Sequence, residues 1–375
     1  MTRPYQVCSR CIMDTSDPDI VFDQAGVCNH CHQRDALMAR LPQGEQARRE
    51  LEKLVEQIRR EGRGRDYDCI IGVSGGVDST YVALKTKELG LRPLAVHLDN
   101  GWDSELAVSN IQKALQKLEI ELYTYVMDWE EFKDLQLSFL RASTPDSEIP
   151  SDHAIVAIMR QMAEKVGTRY ILTGYNLRTE THLPAAWSRG HMDWKYIREV
   201  QKQFGHCELK SFPHMDFLTY NRYRLAQKMI DVLNYFDYSK KDAMQVLQKE
   251  LDWQYYGGKH YESIYTRFYQ GYILPKKFGY DKRRTHLSSL ICSGEITRAE
   301  ALADLEINPY SEQLQLEDRD YVIKKFGLTG AEFDEIMCLP QKTIWDYASY
   351  EKAYRNPLYR GLRDVYRRYV QGVSR

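Results

Sequence analysis

Apolar and polar residues alternate along the middle of the chain as short apolar runs and longer amphipathic segments. The short runs are typical of buried strands, and apolar residues three or four positions apart are typical of helices. Strands are predicted at residues 69–73, 92–98, 121–127 and 169–173, and helices at residues 78–89, 104–117, 129–141 and 151–166. Strands that alternate with helices indicate a doubly wound parallel sheet, so the predicted fold class is α/β.

The two flanks of this segment have different patterns. Residues 45–60 are charged, with Leu51, Val55 and Ile58 at helical spacing, which predicts an amphipathic linker helix. After Pro184 the alternation stops, and the next hundred residues are predicted to be mostly helical and rich in aromatic side chains. The predicted parts are a zinc-ribbon module at 1–40, the linker helix at 41–65, the α/β domain at 66–185 and a helical substrate or partner region at 186–375.

The turn after the first predicted strand carries the strongest chemical signal. Residues 74–79 read Ser-Gly-Gly-Val-Asp-Ser and lead into a helix N-terminus. The glycines let the backbone approach an anion, and the free N–H groups and helix dipole point toward it. The loop has neither the lysine of a Walker sequence nor the Gly-x-Gly-x-x-Gly of a dinucleotide site. The predicted phosphate-binding residues are Ser74, Gly75, Gly76, Val77 and Ser79, with Asp78 acting through a bridging Mg²⁺.

Two further strand ends carry polar residues. The second predicted strand ends in Asp99, and the last one ends in a turn that contains Gly174 and Asn176. Because ligands gather at the carboxyl ends of parallel strands, these three residues are candidates for nucleotide binding. Glu180 is the nearest carboxylate beyond the last turn, and whether it binds metal stays open at this point.

Four of the eight cysteines crowd the first 31 residues as two Cys-x-x-Cys pairs: Cys8, Cys11, Cys28 and Cys31. Two such pairs fit a tetrahedral structural Zn²⁺ site, because each tight turn aims two thiolates at one ion. Redox cysteines or disulfides are the alternative. The four scattered cysteines, Cys69, Cys207, Cys292 and Cys338, are predicted to serve core packing.

Composition narrows the function classes. The chain has 52 Lys and Arg against 53 Asp and Glu, so a net charge of −1 gives no general attraction to nucleic acid. No apolar run approaches the length needed to span a membrane, and no signal peptide opens the sequence. We therefore expect a soluble cytoplasmic protein.

The C-terminal region contains one distinctive polar stretch. Residues 255–263 read Tyr-Tyr-Gly-Gly-Lys-His-Tyr-Glu-Ser, and residues 275–286 are rich in lysine and arginine. One interpretation is a polar pocket that tolerates anions, and the other is a solvated basic patch.

The Ser-Gly-Gly-Val-Asp-Ser loop resembles the pyrophosphate loop (PP-loop) of the ATP pyrophosphatase superfamily, whose fold is the adenine nucleotide alpha hydrolase-like one. Several further stretches narrow the resemblance to one family within this superfamily. They are the N-terminal Cys-Ser-Arg-Cys-Ile-Met-Asp-Thr-Ser-Asp-Pro and residues 99–102, 173–176, 256–263 and 275–284. The whole chain is similar to the N-acetyl sugar amidotransferases of bacterial lipopolysaccharide and O-antigen biosynthesis, of the WbpG and PseA type.

This resemblance implies an activity. ATP would adenylate the acetamido oxygen of a nucleotide-linked N-acetyl sugar, and ammonia would replace it to leave an acetamidino group, AMP and pyrophosphate. ATP, Mg²⁺ and structural Zn²⁺ are the implied cofactors, and Lys276 or Lys277 would neutralise phosphate charge. The residues implied in substrate contact are Trp102, Tyr256, Lys259, His260 and Arg283.

The source of ammonia is predicted to be another protein. No cysteine lies on a Gly-x-Cys-x-Gly elbow, and position 2 is Thr rather than the Cys of an N-terminal-nucleophile glutaminase. The resemblance implies a partner similar to the glutaminase subunit of histidine biosynthesis, with a companion cyclase-like barrel that carries ammonia.

Two other functions are compatible with the sequence. Several ATP pyrophosphatases with cysteine pairs modify tRNA by thiolation or amidation, although the neutral charge argues against this. A zinc-ribbon scaffold with a degenerate nucleotide fold is the non-enzymatic alternative, which the complete loop argues against.

Overall fold

The computed structural model describes residues 3–258, 261–308 and 310–354. Its single sheet has five parallel strands, β1 (Cys69–Gly72), β2 (Pro93–Asp99), β3 (Leu122–Val126), β4 (Tyr170–Thr173) and β5 (Lys228–Asp231). Their spatial order is β3-β2-β1-β4-β5. The chain therefore moves outward from β1 to β3 and then returns to the other side of β1, so the topological switch point lies between β1 and β4.

Helices cover both faces of the sheet and continue beyond it. They are α1 (Asn29–Met38), α2 (Gly44–Glu61), α3 (Val77–Glu88), α4 (Glu105–Leu118), α5 (Trp129–Ala142), α6 (Ile149–Lys165), α7 (Trp194–Phe204), α8 (Phe217–Ala226), α9 (Lys240–Leu251), α10 (Ile264–Phe268), α11 (Arg283–Ser293), α12 (Arg298–Glu306), α13 (Glu312–Phe326), α14 (Gly330–Cys338) and α15 (Tyr350–Tyr354). Short 3₁₀ turns occupy Val232–Tyr235 and Ile344–Asp346, and a π-helical segment, Tyr269–Phe278, continues α10.

Alternation along β1 explains how the sheet is buried. Cys69 and Ile71 face a core formed with α2, α3, α4 and α9, whereas Ile70 faces α6 on the opposite side. Successive side chains of a strand point to opposite faces, so a strand covered on both faces is continuously apolar. The predicted doubly wound α/β fold is confirmed.

A third core is built mainly from the C-terminal half of the chain. Its buried residues come from α5, α7, the α10 and π-helical segment, α13 and α14. Trp102, which follows β2, lies within this core and is 1% exposed. The helical C-terminal region is thus packed against the end of β2 that carries the predicted nucleotide site.

Three details differ from the sequence-based expectations. The strand β5 was not predicted, because it is only four residues long and half exposed. The helix α6 begins at Ile149, two residues before the predicted start at residue 151. Residues 3–40 contain isolated bridges, Val7 with Asp14 and Phe22 with Cys28, and the helix α1 rather than the regular short strand expected of a ribbon.

Among the residues described, none of the helices combines the length and apolar character that crossing a membrane requires.

Candidate functional site

The loop between β1 and α3 has the geometry of a phosphate cradle. Gly75 has a φ of +77°, and a Cβ at this position would lie 2.5 Å from the carbonyl oxygen of Ala107. Glycine is therefore required for both the backbone conformation and the close approach. Gly76 is the extended residue just before α3, so the N-terminus of the helix opens at the loop.

The two loop serines fix its shape. The backbone N–H of Ser74 donates to Ser79 Oγ at 3.2 Å, and that hydroxyl donates to the carbonyl oxygen of Gly76, also at 3.2 Å. The two Oγ atoms are 3.1 Å apart. The sequence prediction that residues 74–79 form one compact polar turn at a helix start agrees with this geometry; their binding of phosphate stays a prediction.

Residues from far along the chain close over the loop. Trp253 Nε1 donates to the carbonyl oxygen of Gly75 at 2.9 Å. The Tyr256 hydroxyl oxygen and Glu262 Oε1 each lie 3.4 Å from the Cβ position of Gly76. Burial, then the charges of Glu262 and Asp78, raise the pKa of Tyr256. Tyr256 was predicted from sequence, and Glu262 lies in the polar stretch at 255–263, although its contact with the loop was not predicted. Trp253 was missed because the local pattern around it is that of an ordinary helix end.

Asp78, in the first turn of α3, is held by two side chains that the sequence did not indicate. The Tyr238 hydroxyl donates to its Oδ1, and Lys240 Nζ lies 3.6 Å from its Oδ2. Burial and the neighbouring Asp78 carboxylate raise the pKa of Tyr238. Lys240 thereby places a positive charge beside the loop.

A second carboxylate region lies at the ends of β4 and β5. Thr173 Oγ1 donates to Asp231 Oδ1 at 2.6 Å. Burial raises the pKa of Asp231, and the charge of Glu180 adds to this shift. Glu180 also acts electrostatically on Tyr238, which binds Asp78. Glu180 therefore lies within electrostatic range of both Asp231 and Tyr238, and Tyr238 binds Asp78. Carboxylate oxygens are the ligands that a divalent cation such as Mg²⁺ prefers.

The three candidate nucleotide-binding residues at the strand ends, Gly174, Asn176 and Asp99, have different surroundings. Gly174 packs directly on the loop helix, because a Cβ there would lie 3.1 Å from the carbonyl carbon of Asp78. Asn176 is fully buried and accepts from the N–H of Thr179 at 3.0 Å, so its side chain shapes the turn. Asp99 Oδ1 accepts from the N–H of Gly101 at 2.8 Å and organises the turn after β2.

The lysines and the arginine proposed from sequence point into the helical region. Lys277 Nζ donates to the carbonyl oxygen of Ile336, and burial lowers the pKa of this lysine to about 8. Lys276 Nζ lies 4.0 Å from the centre of the Tyr272 ring. Arg283 binds Asp281 and the carbonyl oxygens of Leu305 and Ile307. These contacts are structural, so a role of any of the three at the loop stays a prediction without geometric support.

Trp102 is also a packing residue: its Nε1 donates to Gln136 Oε1 at 2.6 Å inside the C-terminal core. The predicted residues Lys259 and His260 lie outside the described residues.

A cluster of polar side chains near the end of β2 was not predicted. Asn100 Nδ2 donates to Ser151 Oγ at 3.2 Å, and the next residue in the chain is Asp152. His191 Nε2 lies 3.4 Å from Asp152 Oδ2, 3.5 Å from Asp146 Oδ2 and 2.8 Å from Ser188 Oγ. Asn100 lies in the 99–102 stretch named in the sequence analysis, but the rest of the cluster was missed because its members come from separate segments of the chain.

The pKa values of the charged groups in this cluster depend on one another. Burial lowers the pKa of His191, but the hydrogen bond and charge of Asp146 and the charge of Asp152 outweigh it and raise the pKa to about 9. Burial raises the pKa of Asp146, but His191 and Lys282 together bring it down to about 2. At neutral pH the cluster therefore contains the imidazolium of His191 beside the carboxylates of Asp146 and Asp152.

The four N-terminal cysteines converge as predicted. All four side chains are fully buried, and their donor atoms lie within 4.8 Å of one another. Cys28 Sγ is 3.7 Å from both Cys11 Sγ and Cys31 Sγ. Two sulfurs on one tetrahedral Zn²⁺ are about 3.8 Å apart, so the donor set fits zinc. Trp187 and Tyr280, whose rings stack at 4.8 Å, border the cluster.

A parallel α/β sheet with a Ser-Gly-Gly-Val-Asp-Ser loop at its switch point is similar to the PP-loop class of nucleotide-binding proteins. The particular relationship comes from the C-terminal region. Residues 262–360 match the family model described as "LPS biosynthesis protein WbpG-like, C-terminal domain". This match confirms the WbpG-type resemblance, and it begins at Glu262, the residue whose carboxylate reaches the loop.

Two other proteins are similar to this chain. The tRNA-specific 2-thiouridylase MnmA of Proteus mirabilis is 29% identical over 124 residues, which cover 29% of this chain and 34% of that protein. The match thus spans about a third of the relative. The NH3-dependent NAD synthetase from Campylobacter jejuni, in complex with the nitrate ion, shares 12% identity with a TM-score of 0.34. That alignment covers 76% of this chain and 97% of the synthetase, but so low a TM-score supports no conclusion.

Proposed function

We propose that this protein is an ATP-dependent amidotransferase that converts the acetamido group of a nucleotide-linked N-acetyl sugar into an acetamidino group, in bacterial lipopolysaccharide or O-antigen biosynthesis. The observation that carries the proposal is the convergence of two features on one site. The WbpG-like segment begins at Glu262, and this residue and Tyr256 close over the pyrophosphate loop.

The reaction balances with ATP and ammonia as co-substrates. The amide oxygen attacks the α-phosphorus of ATP, the bond to the β-phosphate oxygen breaks, and pyrophosphate leaves. The resulting O-adenyl imidate is a far better electrophile than the amide. Ammonia adds to its carbon, AMP departs with the former amide oxygen, and loss of a proton leaves the neutral amidine or its protonated form.

Each side chain at the loop has a role in this proposal. The loop N–H groups and the serine hydroxyls would hold the pyrophosphate, because fixed donors stabilise charge that develops on a leaving group. Lys240 would neutralise the same charge, in place of the originally predicted Lys276 or Lys277. Asp78 would hold Mg²⁺, which would supply positive charge to the phosphates when bound.

The polar cluster around His191 is the proposed sugar site. Its hydroxyl, amide and carboxylate groups, from Ser151, Asn100 and Asp152, are the partners that sugar hydroxyls use. It adjoins the end of β2, the strand next to the pyrophosphate-loop strand. Of the substrate residues predicted from sequence, Tyr256 has the geometry for a role at the loop; Lys259 and His260 stay predictions.

We also propose that ammonia comes from a separate glutaminase similar to that of histidine biosynthesis, with a cyclase-like barrel as conduit. The support is chemical: the sequence contains no glutaminase cysteine motif. If this is right, glutamine alone will not support the reaction of the purified chain, whereas glutamine plus the glutaminase will. Turnover on glutamine by the pure chain would contradict the proposal.

The first experiment is product analysis by mass spectrometry, with ATP, Mg²⁺, ammonium and a panel of UDP- and CMP-linked N-acetyl sugars. The expected result is sugar-dependent AMP and pyrophosphate, with a product lighter by the mass difference between O and NH. Asp78→Asn should abolish both signals while the protein stays folded. The absence of sugar-dependent ATP cleavage across the panel would contradict the proposal.

A second candidate is tRNA thiolation, which the similarity to the 2-thiouridylase favours. That chemistry needs a reactive cysteine near the nucleotide. Cys69, the cysteine nearest the loop in sequence, lies fully buried within β1, and burial raises its thiol pKa. The distinguishing test is ATP cleavage with tRNA and no sugar: cleavage there, and none with any sugar, would favour this candidate.

A further inference from the structure

Beside the four N-terminal cysteines lies a second group of metal-binding side chains. Cys31 Sγ is 3.8 Å from both His182 Nε2 and Cys292 Sγ, and the last two atoms are 3.7 Å apart. Like the sulfurs of the four cysteines, these three donor atoms all lie within 4.8 Å of one another. His182 and Cys292 played no part in the metal prediction, and Cys292 had been assigned to core packing.

The spacing of this second group fits a metal ion. On a tetrahedral Zn²⁺, two sulfurs lie about 3.8 Å apart, and a sulfur and a nitrogen lie about 3.6 Å apart. All three observed separations are close to these values. They are too long for a disulfide, whose sulfurs are about 2.05 Å apart.

The imidazole of His182 is oriented as a metal ligand. Its Nδ1 contacts Ser289 Oγ at 3.0 Å and Thr181 Oγ1 at 3.1 Å, which leaves Nε2 directed at the two sulfurs. A ligating histidine typically has its other ring nitrogen hydrogen-bonded in this way, which fixes the tautomer. His182 is fully buried, so a polar tip without such partners would be costly.

Charge balance favours two ions over one. Five thiolates around one divalent ion leave three negative charges in a buried cluster, whereas two ions leave one. Arg10 and Arg34 lie within electrostatic reach of Cys31 and Cys292, and Arg34 is itself buried. Asp35 pairs with Arg10, so the two arginines and this carboxylate together carry one positive charge, which matches the smaller excess.

We propose that the chain binds a second metal ion, most simply Zn²⁺, through Cys31, His182 and Cys292, with Cys31 shared between this ion and the four-cysteine site. Three protein ligands leave one coordination position for water or a further donor. Cys292 is partly exposed, so the ion has a route of entry.

The site joins three separate parts of the chain. Cys31 lies in α1, His182 lies in the segment that follows β4, and Cys292 lies near the end of α11. A shared metal centre would thus tie the N-terminal module to the loop that carries Glu180 and to the C-terminal region. The inference does not depend on the reaction that the protein catalyses.

The test is the metal content of the purified full chain, measured by elemental mass spectrometry against quantitative amino-acid analysis. The expected result is two zinc ions per chain in the wild type, and one in His182→Ala and in Cys292→Ala. Cys338→Ala and His206→Ala, control substitutions of more accessible residues, should retain two. One ion in the wild type, unchanged in His182→Ala and Cys292→Ala, would overturn the proposal.

A second measurement needs no variant. X-ray absorption at the zinc edge of the wild type should show a mixed shell of sulfur with a minority of nitrogen, and a metal–metal vector. A shell of four sulfurs alone would overturn the proposal, as would the visible absorption of an iron–sulfur cluster. These readouts remain decisive even if the substituted proteins do not fold.

Discussion

At the scale of single residues, Asp78 is bound by side chains that come about 160 positions later. Tyr238 donates to one carboxylate oxygen, and Lys240 lies beside the other. The loop sequence predicts a phosphate site, but it does not indicate that a lysine from residue 240 lies beside the loop. The lysine pair at 276–277 is conspicuous in sequence, yet Lys277 donates to the carbonyl oxygen of Ile336 within the helical region.

This arrangement predicts which lysine matters. Lys240→Met should lower the rate of sugar-dependent pyrophosphate release by about 10²- to 10³-fold, the cost of losing one preorganised electrostatic contact. Lys241→Met, on the exposed neighbour, should leave the rate within a few-fold of the wild type. Lys276→Met should also leave the rate within a few-fold of the wild type, because the Lys276 side chain packs on the Tyr272 ring.

The contrary outcome is a wild-type rate in Lys240→Met together with a large loss in Lys276→Met or Lys277→Met. For Lys277→Met, thermal unfolding must be measured alongside, because loss of its bond to Ile336 would change stability as well as activity.

His191 makes a prediction about pH. Its folded-state pKa is raised to about 9, so its ion pairs stabilise the fold fully below about 6.5, its ordinary value. That contribution is lost as pH rises from about 6.5 to about 9. The stability advantage of the wild type over His191→Gln, measured by urea unfolding, should therefore shrink by about 1–2 kcal/mol across this range.

The matched control is the same comparison in an Asp146→Asn background, where the main hydrogen-bond partner of His191 is gone. There the pH dependence should be much weaker. An advantage that stays constant from pH 6.5 to 9 in the native background would show that the pair does not form.

At the scale of elements, the helices and strands whose signals lie within their own sequence were predicted more accurately than those that depend on distant residues. The sequence from β1 through the loop to α3 contains its own strand, turn and helix signals, so its boundaries were predicted to within one or two residues. The strand β5 was missed because four half-exposed residues carry little periodicity, and its identity depends on pairing with β4. Trp253 and Tyr238 were missed for the same reason: only tertiary packing brings them to the loop.

The contact between the β4 turn and α3 can be tested. In Gly174→Ala, the new Cβ would lie 3.1 Å from the Asp78 carbonyl carbon and 3.2 Å from its Cβ, so α3 must shift. We expect a stability loss of about 1–3 kcal/mol from overpacking and weaker ATP binding. Calorimetric titration with a non-hydrolysable ATP analogue measures the second effect.

Gly330→Ala is the control, because its nearest neighbour, Arg319, is 3.9 Å from the new Cβ. It should be neutral or slightly stabilising. Equal effects of the two substitutions would mean that the close contact of Gly174 with Asp78 has no functional weight.

At the scale of the whole molecule, the N-terminal cysteine module is packed against the helices α11 and α12. Arg298 donates to the carbonyl oxygens of Cys8 and Cys11, both at 3.0 Å, and Arg284 donates to that of Ile12 at 2.8 Å. The sequence predicts a separate small zinc module, and the spacing of its four cysteines was enough to predict that they converge. The docking of this module on the C-terminal helices was not predicted, because that interface pairs residues almost 300 positions apart.

Removal of metal should therefore be felt beyond the module. Trp187 is fully buried against the cysteine cluster and stacks on Tyr280. Chelation should expose residues 1–40 to protease and change the tryptophan fluorescence, since a small metal module has little core of its own. The fluorescence change should be much smaller in Trp187→Phe. Unaltered proteolysis after complete metal removal would contradict a structural role.

The central claim is that the acetamido oxygen of a nucleotide-linked sugar becomes bonded to AMP, and one isotope measurement tests it. The sugar is labelled with heavy oxygen in its acetamido group, and AMP from a reaction with ATP, Mg²⁺ and ammonium is analysed by mass spectrometry. The account predicts one heavy oxygen in each AMP formed and none in pyrophosphate. AMP that carries no label, or sugar that keeps it, would contradict the account.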